Sequence, residues 1–266
     1  MSLIQALILG TIQGLTEFIP VSSSGHLVLL HRLFGITEGT LTFTIFVHLG
    51  SLLAIFVVFF EDILHIVKNP FDKLPLLLLT GAVVTGAIGL AFSGFFRSIF
   101  ETGQTIGINF ILTGLVLFSA EKIRRGEKEI AEMTHLDASF IGFMQSFAIM
   151  PAISRSGMTI VGALFRGMDR IEAARYSFLL SIPVILGASL LEIREVYSGA
   201  LLESINTIPI LAGTVSAAIA SYFAIKYMLK VLTKGSLAVF SYYVFALGVF
   251  VLIDQFFFQA FFPSFF

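Results

Sequence analysis

An acid and an amide stand four residues apart near the start of an apolar stretch. Glu17 follows Gln13 by about one helical turn, so both side chains lie on one helix face, with Gly10 on the same stripe. A carboxylate at membrane depth is costly unless it is paired, protonated or bound to a metal. Carboxylate and amide oxygens suit a hard divalent cation such as Mg²⁺ or Ca²⁺, so both residues are candidate metal ligands. The alternative is that Glu17 is the structural partner of Arg155.

Three consecutive serines follow this acid. Ser22, Ser23 and Ser24 come after Pro20, which breaks the first helix, and His26 lies in the first turn of the next one. Ser22 or Ser23 is expected to cap that helix, whose free N–H groups suit a phosphate. A serine within reach of a histidine is also a candidate nucleophile with its base. The competing interpretation is a cap and a turn without chemistry.

A second helix break carries an arginine among hydroxyl groups. Arg155 lies between Ser154 and Ser156, after Pro151, with Thr159 one turn later. A guanidinium presents five fixed donors and keeps its charge, so it suits a phosphate or a carboxylate. The hydroxyl groups and the helix start add further donors. These donors exceed what a structural ion pair needs, so the segment is a candidate phosphate site.

The two polar segments are related by a fixed offset. Five residues of the first recur 132 residues later in the second: Gly10 as Gly142, Gln13 as Gln145, Ser22 as Ser154, Ser24 as Ser156 and Gly25 as Gly157. Three functional candidates do not recur: Glu17 is replaced by Ile149, His26 by Met158 and Ser23 by Arg155. A duplicated chain with specialised halves favours one shared reaction centre over symmetric passage of a substrate.

The composition requires a membrane around these segments. Apolar residues make up 57% of the chain and charged residues 12%, about half the charged fraction of soluble domains. The net charge of −1 argues against a nucleic-acid partner and leaves membrane lipids as the surroundings. Six segments are long and apolar enough for spanning helices: 42–60, 74–92, 105–120, 175–191, 207–226 and 237–257.

The two polar segments lie in stretches of another kind. Each consists of two apolar arms too short to cross, 2–19 with 24–34 and 138–150 with 157–166, so each predicts a re-entrant helical hairpin. The sequence therefore predicts an all-α polytopic membrane protein with a single membrane domain over 1–266. One hairpin and three spans form each half, 1–120 and 137–257. Because three spans are an odd number, the second half is expected to be inverted relative to the first.

The basic residues predict which side faces the cytoplasm. Three of them fall on the side of the first hairpin: Arg32, Arg97 and Arg194. Twelve fall on the other side: Lys68, Lys73, Lys122, Arg124, Arg125, Lys128, Arg166, Arg170, Arg175, Lys226, Lys230 and Lys234. Cytoplasmic loops collect Lys and Arg, so both termini and the site are expected to face outward across a plasma membrane. His31, His48 and His65 lie near span ends, where we expect interfacial or packing roles.

The segments Gln13–His26 and Pro151–Thr159 together resemble the two signatures of the undecaprenyl-diphosphate phosphatases of the bacitracin-resistance type. The resemblance covers essentially the whole chain. It implies hydrolysis of a polyprenyl diphosphate to the monophosphate, which recycles the lipid carrier of peptidoglycan and other envelope glycans. It also implies a divalent cation and an outward-facing site.

The resemblance also implies roles for individual residues. Glu17 and Gln13 belong to the acid or metal group, Ser23 to the proposed nucleophile, and His26 to acid–base chemistry. Arg155 binds the diphosphate, and further hydroxyl groups surround it: Ser22, Ser24, Ser154, Ser156 and Thr159.

Two residues depart from the family pattern. Gln13 stands where many relatives carry Glu, so a cation has less charge to bind. Ala152 replaces the usual Gly, so we expect the loop before Ser154 to do without a left-handed backbone there.

Two other functions compete with hydrolysis. A transporter or flippase of polyprenyl phosphate has the same inverted-repeat architecture. An acid phosphatase with a Ser-Gly-His segment would need a histidine after Arg155, and no histidine follows His135. The sequence leaves open the oligomeric state, including a homodimer, and the choice between Ser23 and water as nucleophile.

Overall fold

The computed structural model describes residues 1–123, 125–198, 207–234 and 236–262. Within these ranges the chain forms twelve α-helices and no named strand: α1 Leu3–Phe18, α2 Ser23–Leu33, α3 Thr40–Val58, α4 Phe60–Lys68, α5 Lys73–Ala91, α6 Ser93–Thr102, α7 Ile106–Ala120, α8 His135–Ser146, α9 Arg155–Phe165, α10 Arg170–Ser198, α11 Thr207–Lys234 and α12 Ala238–Ile253. A 3₁₀ turn, Phe147–Ile149, extends α8, and a π-helical turn, Asp254–Phe258, extends α12. Of the basic residues used for sidedness, Arg124 lies outside the described residues.

Five helices are long and apolar enough to cross a membrane: α3, α5, α10 within Arg170–Arg194, α11 within Thr207–Thr233, and α12 continued to Phe258. The remaining predicted span, 105–120, forms the apolar helix α7, which has 15 residues and falls short of a full crossing by length. It packs along α12. The prediction of an all-α polytopic membrane protein is confirmed.

The two predicted hairpins are pairs of short helices joined by a turn. The first elbow, residues 19–22, joins α1 to α2, and the second elbow, residues 147–154, joins α8 to α9. Ser2 and Thr134 begin α1 and α8 with capping boxes. Ser22 and Ser154 begin α2 and α9, each accepting a hydrogen bond from an N–H three residues later. Local capping therefore sets where each elbow ends.

Helix bounds recur at the same 132-residue offset. α2 maps onto α9 residue for residue, and α7 maps onto α12 to within one residue. The pairs α3–α4 and α5–α6 map onto the uninterrupted helices α10 and α11. The helices are thus arranged alike along the two halves, while their inverted orientation in the membrane stays a prediction.

Each hairpin packs on a span of the other half through paired glycines. A Cβ on Gly10 of α1 would lie 2.2 Å from the carbonyl oxygen of Gly213 on α11. A Cβ on Gly142 of α8 would lie 2.4 Å from the carbonyl oxygen of Gly81 on α5. Glycine allows this close backbone approach, which is how helices pack where lipid replaces water. The exchange between halves brings the two elbows together.

Candidate active site

The first elbow is an unusual turn built around Ser22. Its φ is +69°, a left-handed value that residues with a Cβ rarely adopt. The Ser22 hydroxyl accepts the N–H of Gly25 at 3.3 Å and contacts the hydroxyl of Ser24 at 3.2 Å. The expected cap at the start of α2 is confirmed as Ser22. This turn presents Ser23 as the first residue of α2.

The second elbow also contains a left-handed residue, and here the expectation from sequence is wrong. Ala152 adopts a φ of +66° although it has a Cβ, so the loop keeps the backbone that glycine would favour. Hydrogen bonds from α7 hold it there. Thr113 Oγ1 donates to the Ala152 carbonyl at 3.0 Å, and Asn109 Nδ2 donates to the Pro151 carbonyl at 2.8 Å. These fixed carbonyls offset the backbone strain.

Asn109 and Thr113 are supporting residues that sequence reasoning missed. Both are buried polar side chains in an otherwise apolar helix. Thr113 Oγ1 also accepts the backbone N–H of Ser154 at 3.1 Å. Their spacing of four residues places them on one helix face, and this pattern in the sequence could have identified them as a polar contact surface.

The elbows touch each other directly. Ser24 Oγ accepts the N–H of Ala152 at 3.4 Å, and a Cβ on Gly25 would lie 2.9 Å from that of Ala152. Ser156 Oγ donates to the Ile19 carbonyl at 3.5 Å. The absence of a side chain at Gly25 therefore allows the two turns to meet.

At this meeting point the acid of one half pairs with the arginine of the other. Arg155 Nη2 lies 2.5 Å from Glu17 Oε1, and the two side chains are only 14% and 5% exposed. Ser23 Oγ donates to Glu17 Oε2 at 2.6 Å, and Gln13 Nε2 donates to the same oxygen at 2.9 Å. One carboxylate thus receives donors from three residues. The predicted neighbours Gln13, Glu17, Ser23 and Arg155 form one cluster.

His48 joins this cluster, contrary to the interfacial or packing role expected for it. Its Nε2 lies 3.5 Å from Glu17 Oε2. Its Nδ1 lies 2.8 Å from the Thr44 carbonyl, which can only accept, so the ring proton sits on Nδ1. In the neutral ring, Nε2 therefore presents a lone pair toward the site. The sequence offered one indication of this role, since His48 is a lone histidine in a long apolar span.

His26 is placed differently from the other candidates. Its Nδ1–H donates to the Ser22 carbonyl at 2.7 Å, and its Nε2 then accepts from the hydroxyl of Tyr243 at 2.8 Å. The two rings are stacked, with centroids 5.7 Å apart. Both ring nitrogens are thus occupied, and His26 is not among the residues that line the adjacent cavity. These contacts tie the first elbow to α12.

A cavity of about 260 Å³ adjoins the cluster. Polar and charged side chains from both halves line it: Thr16, Glu17, Ser22, Ser23, Ser24, His48, Thr85, Gln145, Ser154, Arg155, Ser189 and Glu192. Ser156 and Thr159 are buried behind this wall. Thr159 Oγ1 donates to the Arg155 carbonyl at 2.9 Å and pairs with Ser177 Oγ at 2.5 Å. Thr159 therefore supports the backbone of Arg155, Ser156 contacts the first elbow, and neither is among the residues that line the cavity.

The protein oxygen atoms near Glu17 suit a divalent cation only when water or phosphate oxygens complete its coordination. Gln13 Oε1 is buried without a hydrogen-bond partner, so it is an available oxygen donor beside the carboxylate. No group of three acidic, histidine or cysteine side chains suited to a metal occurs among the described residues. Mg²⁺ and Ca²⁺ commonly complete their coordination with water and phosphate oxygens. Gln13 and Glu17 fit that kind of incomplete protein site.

The chain is similar over almost its full length to proteins of one activity. The bacitracin resistance protein BacA family model matches residues 6–250. An undecaprenyl-diphosphatase of Carboxydothermus hydrogenoformans is 52% identical over 256 residues, covering 96% of this chain and 98% of the relative. Undecaprenyl-diphosphatase 4 of Bacillus thuringiensis subsp. konkukian is 47% identical with the same coverage. The undecaprenyl-diphosphatase of Halothermothrix orenii is 44% identical, covering 95% of this chain and 98% of the relative. The family expected from the two motifs is confirmed: the chain belongs to the bacitracin resistance protein BacA family.

Proposed function

We propose that this membrane protein hydrolyses undecaprenyl diphosphate to undecaprenyl phosphate and inorganic phosphate. The observation that carries the proposal is the cluster of Glu17, Ser23 and Arg155 beside a cavity where two helix starts meet. The undecaprenyl-diphosphatase names of full-length relatives support the substrate. Such an activity recycles the lipid carrier for envelope glycans and accounts for bacitracin resistance in the family.

Arg155 and the two helix starts would bind the diphosphate. The guanidinium can hold two phosphate oxygens, and the first N–H groups of α2 and α9 add donors on either side. In the free protein Arg155 is engaged by Glu17. A bound diphosphate would compete for the guanidinium and release the carboxylate. Substrate binding would thereby make Glu17 a stronger proton acceptor.

The freed carboxylate is placed to activate Ser23. Ser23 Oγ already donates to Glu17 Oε2, so its proton can pass to that oxygen as Oγ attacks the terminal phosphorus. The new Oγ–P bond forms as the bridging P–O bond breaks, and undecaprenyl phosphate leaves. Water then cleaves the phosphoserine to release phosphate. In the alternative, water attacks directly and Ser23 binds a phosphate oxygen.

Gln13 and Glu17 would hold a divalent cation, Mg²⁺ or Ca²⁺, together with oxygens of the substrate. Such an ion neutralises the negative charge that accumulates on a transferring phosphoryl group. Because Gln13 is neutral, this chain relies on Glu17 alone for a negatively charged ligand. We therefore expect weak cation binding in the absence of a diphosphate.

His26 would act in this reaction by holding the first elbow in place. The resemblance gives it an acid–base role, whereas its hydrogen bonds to Ser22 and Tyr243 favour holding the turn that presents Ser23. His48, whose Nε2 faces Glu17, is the histidine in contact with the cluster.

We further propose that the cavity faces outward and that the two halves form one inverted domain. The excess of Lys and Arg on the opposite side supports this orientation. The exchange of glycine contacts between the hairpins and the opposite spans supports a single domain. Undecaprenyl diphosphate would then enter from the outer leaflet. A homodimer would give twice the protein mass of a monomer in detergent.

The decisive experiment is phosphate release from undecaprenyl diphosphate by the purified protein in detergent. A flippase without hydrolytic activity has no function there, so release distinguishes the two. We expect Glu17→Gln and Arg155→Ala to lose at least about 100-fold in rate, the range of one preorganised charged group. Glu38→Gln, in the exposed loop between α2 and α3, serves as the matched control and should keep full activity.

Two additions separate the mechanistic alternatives. Trapped phosphoserine at Ser23 supports the covalent route, and full activity of Ser23→Ala would remove it. A chelator should lower the rate, and added Mg²⁺ or Ca²⁺ should restore it. Undiminished rates in both Glu17→Gln and Arg155→Ala would contradict the proposed site.

A further inference from the structure

The cavity has a second wall that the proposed hydrolysis does not use. It extends away from the Glu17–Arg155 pair between α5, the end of α8 and α10. Small and branched apolar side chains make up most of it: Ala148, Ile149, Ile153, Val184, Ile185 and Ala188. Thr85 and Gln145 lie beside them and hydrogen-bond each other at 2.8 Å, which leaves the amide oxygen of Gln145 as an acceptor. On α10 the wall is therefore apolar from Val184 to Ala188, and the polar residues Ser189 and Glu192 follow.

This wall reaches the surface of the protein beside Ala188. Ala188 lines the cavity and is also exposed, as are its neighbours Leu186 and Gly187 on α10. In the part of the chain that the structure describes, no neighbouring atom lies within 4 Å of a Cβ added to Gly187 of α10 or to Gly86 of α5. About three turns earlier the two helices touch, since Tyr176 donates to the Leu77 carbonyl at 2.9 Å. α5 and α10 are therefore in contact at one end, and nearer the cavity each carries a glycine with open space around it.

The corresponding place in the first half is closed. At the 132-residue offset, Val184 corresponds to Leu52 and Ala188 to Phe56, so the first half carries larger side chains. Leu52 is buried, and a Cβ on Gly50 of α3 would lie 2.4 Å from the Thr214 carbonyl of α11. The position equivalent to Gly50 in α10 is Ile182, followed by Pro183 inside the helix. A proline and a larger side chain prevent the same close approach.

We propose that the first isoprene units of the substrate lie along Val184, Ile185 and Ala188, against Ala148 and Ile149, and reach the bilayer beside Ala188. This inference rests on the proposed function, because it assigns the lipid tail of that substrate. A diphosphate held by Arg155 must have its apolar chain leave the same cavity, and burying that chain against α10 is favourable. The closed first half gives the tail no equivalent exit.

Ala188→Phe tests this assignment by installing the residue that the first half has at Phe56. The probes are isopentenyl, farnesyl and undecaprenyl diphosphates, assayed in detergent as kcat/KM. We expect Ala188→Phe to lower kcat/KM at least about tenfold for farnesyl and undecaprenyl diphosphates, mainly through KM, since filling a hydrophobic pocket by a few carbons has that effect. Isopentenyl diphosphate should stay within about twofold, because one isoprene unit ends before Ala188.

Leu190→Phe is the matched control, since Leu190 lies on the same helix and is exposed. It should leave all three substrates unchanged. If Ala188→Phe does not fold, Ala188→Leu decides the question with a smaller side chain. An equal loss on all three probes, or no loss on any, overturns the tail assignment. Absence of phosphate release by the wild-type protein from all three instead contradicts the proposed function.

Discussion

Equivalent helices in the two halves of this chain have different roles. The helices α1 and α3 of the first half lie against α11 of the second half, with glycines at each contact, and among the described residues none on α11 lines the cavity. The equivalent helices of the second half, α8 and α10, lie against α5 of the first half, where a glycine Cβ would meet a backbone carbonyl at Gly142 on Gly81, and they line one side of the cavity. The first interface is thus the more tightly packed, and the second leaves space for a ligand.

The elbows differ in the same complementary way. Glu17 and Ser23 flank the first elbow, and Arg155 directly follows the second. At equivalent positions the partner half has Ile149 and Arg155 in place of Glu17 and Ser23. Neither half holds both charges, so the cluster exists only where the elbows meet. Four changes test how far this division of roles extends.

The largest effect is expected from separating the two charges. Replacing Glu17 or Arg155 singly by Leu leaves a buried charge without a partner, which costs about 3–5 kcal/mol of stability. The double variant removes both charges, so we expect it to be more stable than either single variant. Unfolding in detergent, followed by circular dichroism, measures all three. Single losses that simply add in the double variant would show that the ion pair does not couple the halves.

A somewhat smaller effect is expected from the tight packing of the first half. A Cβ on Gly14 would lie 2.3 Å from the Ala217 carbonyl oxygen, so Gly14→Ala should cost about 2–3 kcal/mol through forced backbone movement. Ser146 is the equivalent residue in the second half, and its hydroxyl donates only to the Phe143 carbonyl at 2.7 Å. Ser146→Ala should cost about 1 kcal/mol or less. Equal losses of stability for Gly14→Ala and Ser146→Ala in the same unfolding assay would contradict this difference in packing between the halves.

Of the capping boxes of α1 and α8, only that of α8 contains a titratable group, Asp137, and predicts a pH dependence. Burial raises the pKa of Asp137, but bonds from Thr134, Arg166 and Lys128 outweigh burial and lower it from 3.8 to about 2. Because the folded pKa lies below the unfolded value, the stabilisation is complete above about pH 4 and is lost as the pH falls through 2. Asp137→Asn should cost about 1–2 kcal/mol at pH 7 and flatten this part of the stability profile.

Gln5 is the control for that change. It occupies the equivalent position in α1, where it completes a capping box with Ser2 through neutral, exposed groups. Gln5→Ala should lower stability by a similar amount at pH 2 and at pH 7. A wild-type profile that stays flat between these values would exclude the role given to Asp137.

The smallest effect is expected at the left-handed residues of the elbows. Ala152→Gly relieves about 1–2 kcal/mol of backbone strain and loses about 0.8 kcal/mol of methyl burial, so stability should rise by about 1 kcal/mol or less. Ala163→Gly, inside the right-handed helix α9, should lower stability by about 1 kcal/mol. Ser22→Gly should give no gain, because the hydroxyl of Ser22 caps α2. A loss in Ala152→Gly would show that its φ carries little strain.

Much of the fold follows from local sequence. Apolar runs of span length set the membrane helices, and Pro20, Pro151 and the capping serines set where the elbows break and restart. Both effects act within a few residues, so they can be read without tertiary contacts. The same holds for the candidate cluster, since Gln13 and Glu17 are one turn apart and Ser23 and Arg155 begin helices.

Only the tertiary structure decided which of these residues meet and what surrounds them. His48 comes from α3, Asn109 and Thr113 from α7, and Tyr243 from α12, so their contacts with the elbows depend on helix packing. Ala152 adopts a left-handed backbone conformation that alanine disfavours, because a hydrogen bond from α7 holds its carbonyl. Short-range preferences are weak, at about 1 kcal/mol per residue, and contacts between distant helices exceed them. The residue types and helix breaks were thus set by the sequence alone, and their assembly into one site by the packing of the two halves.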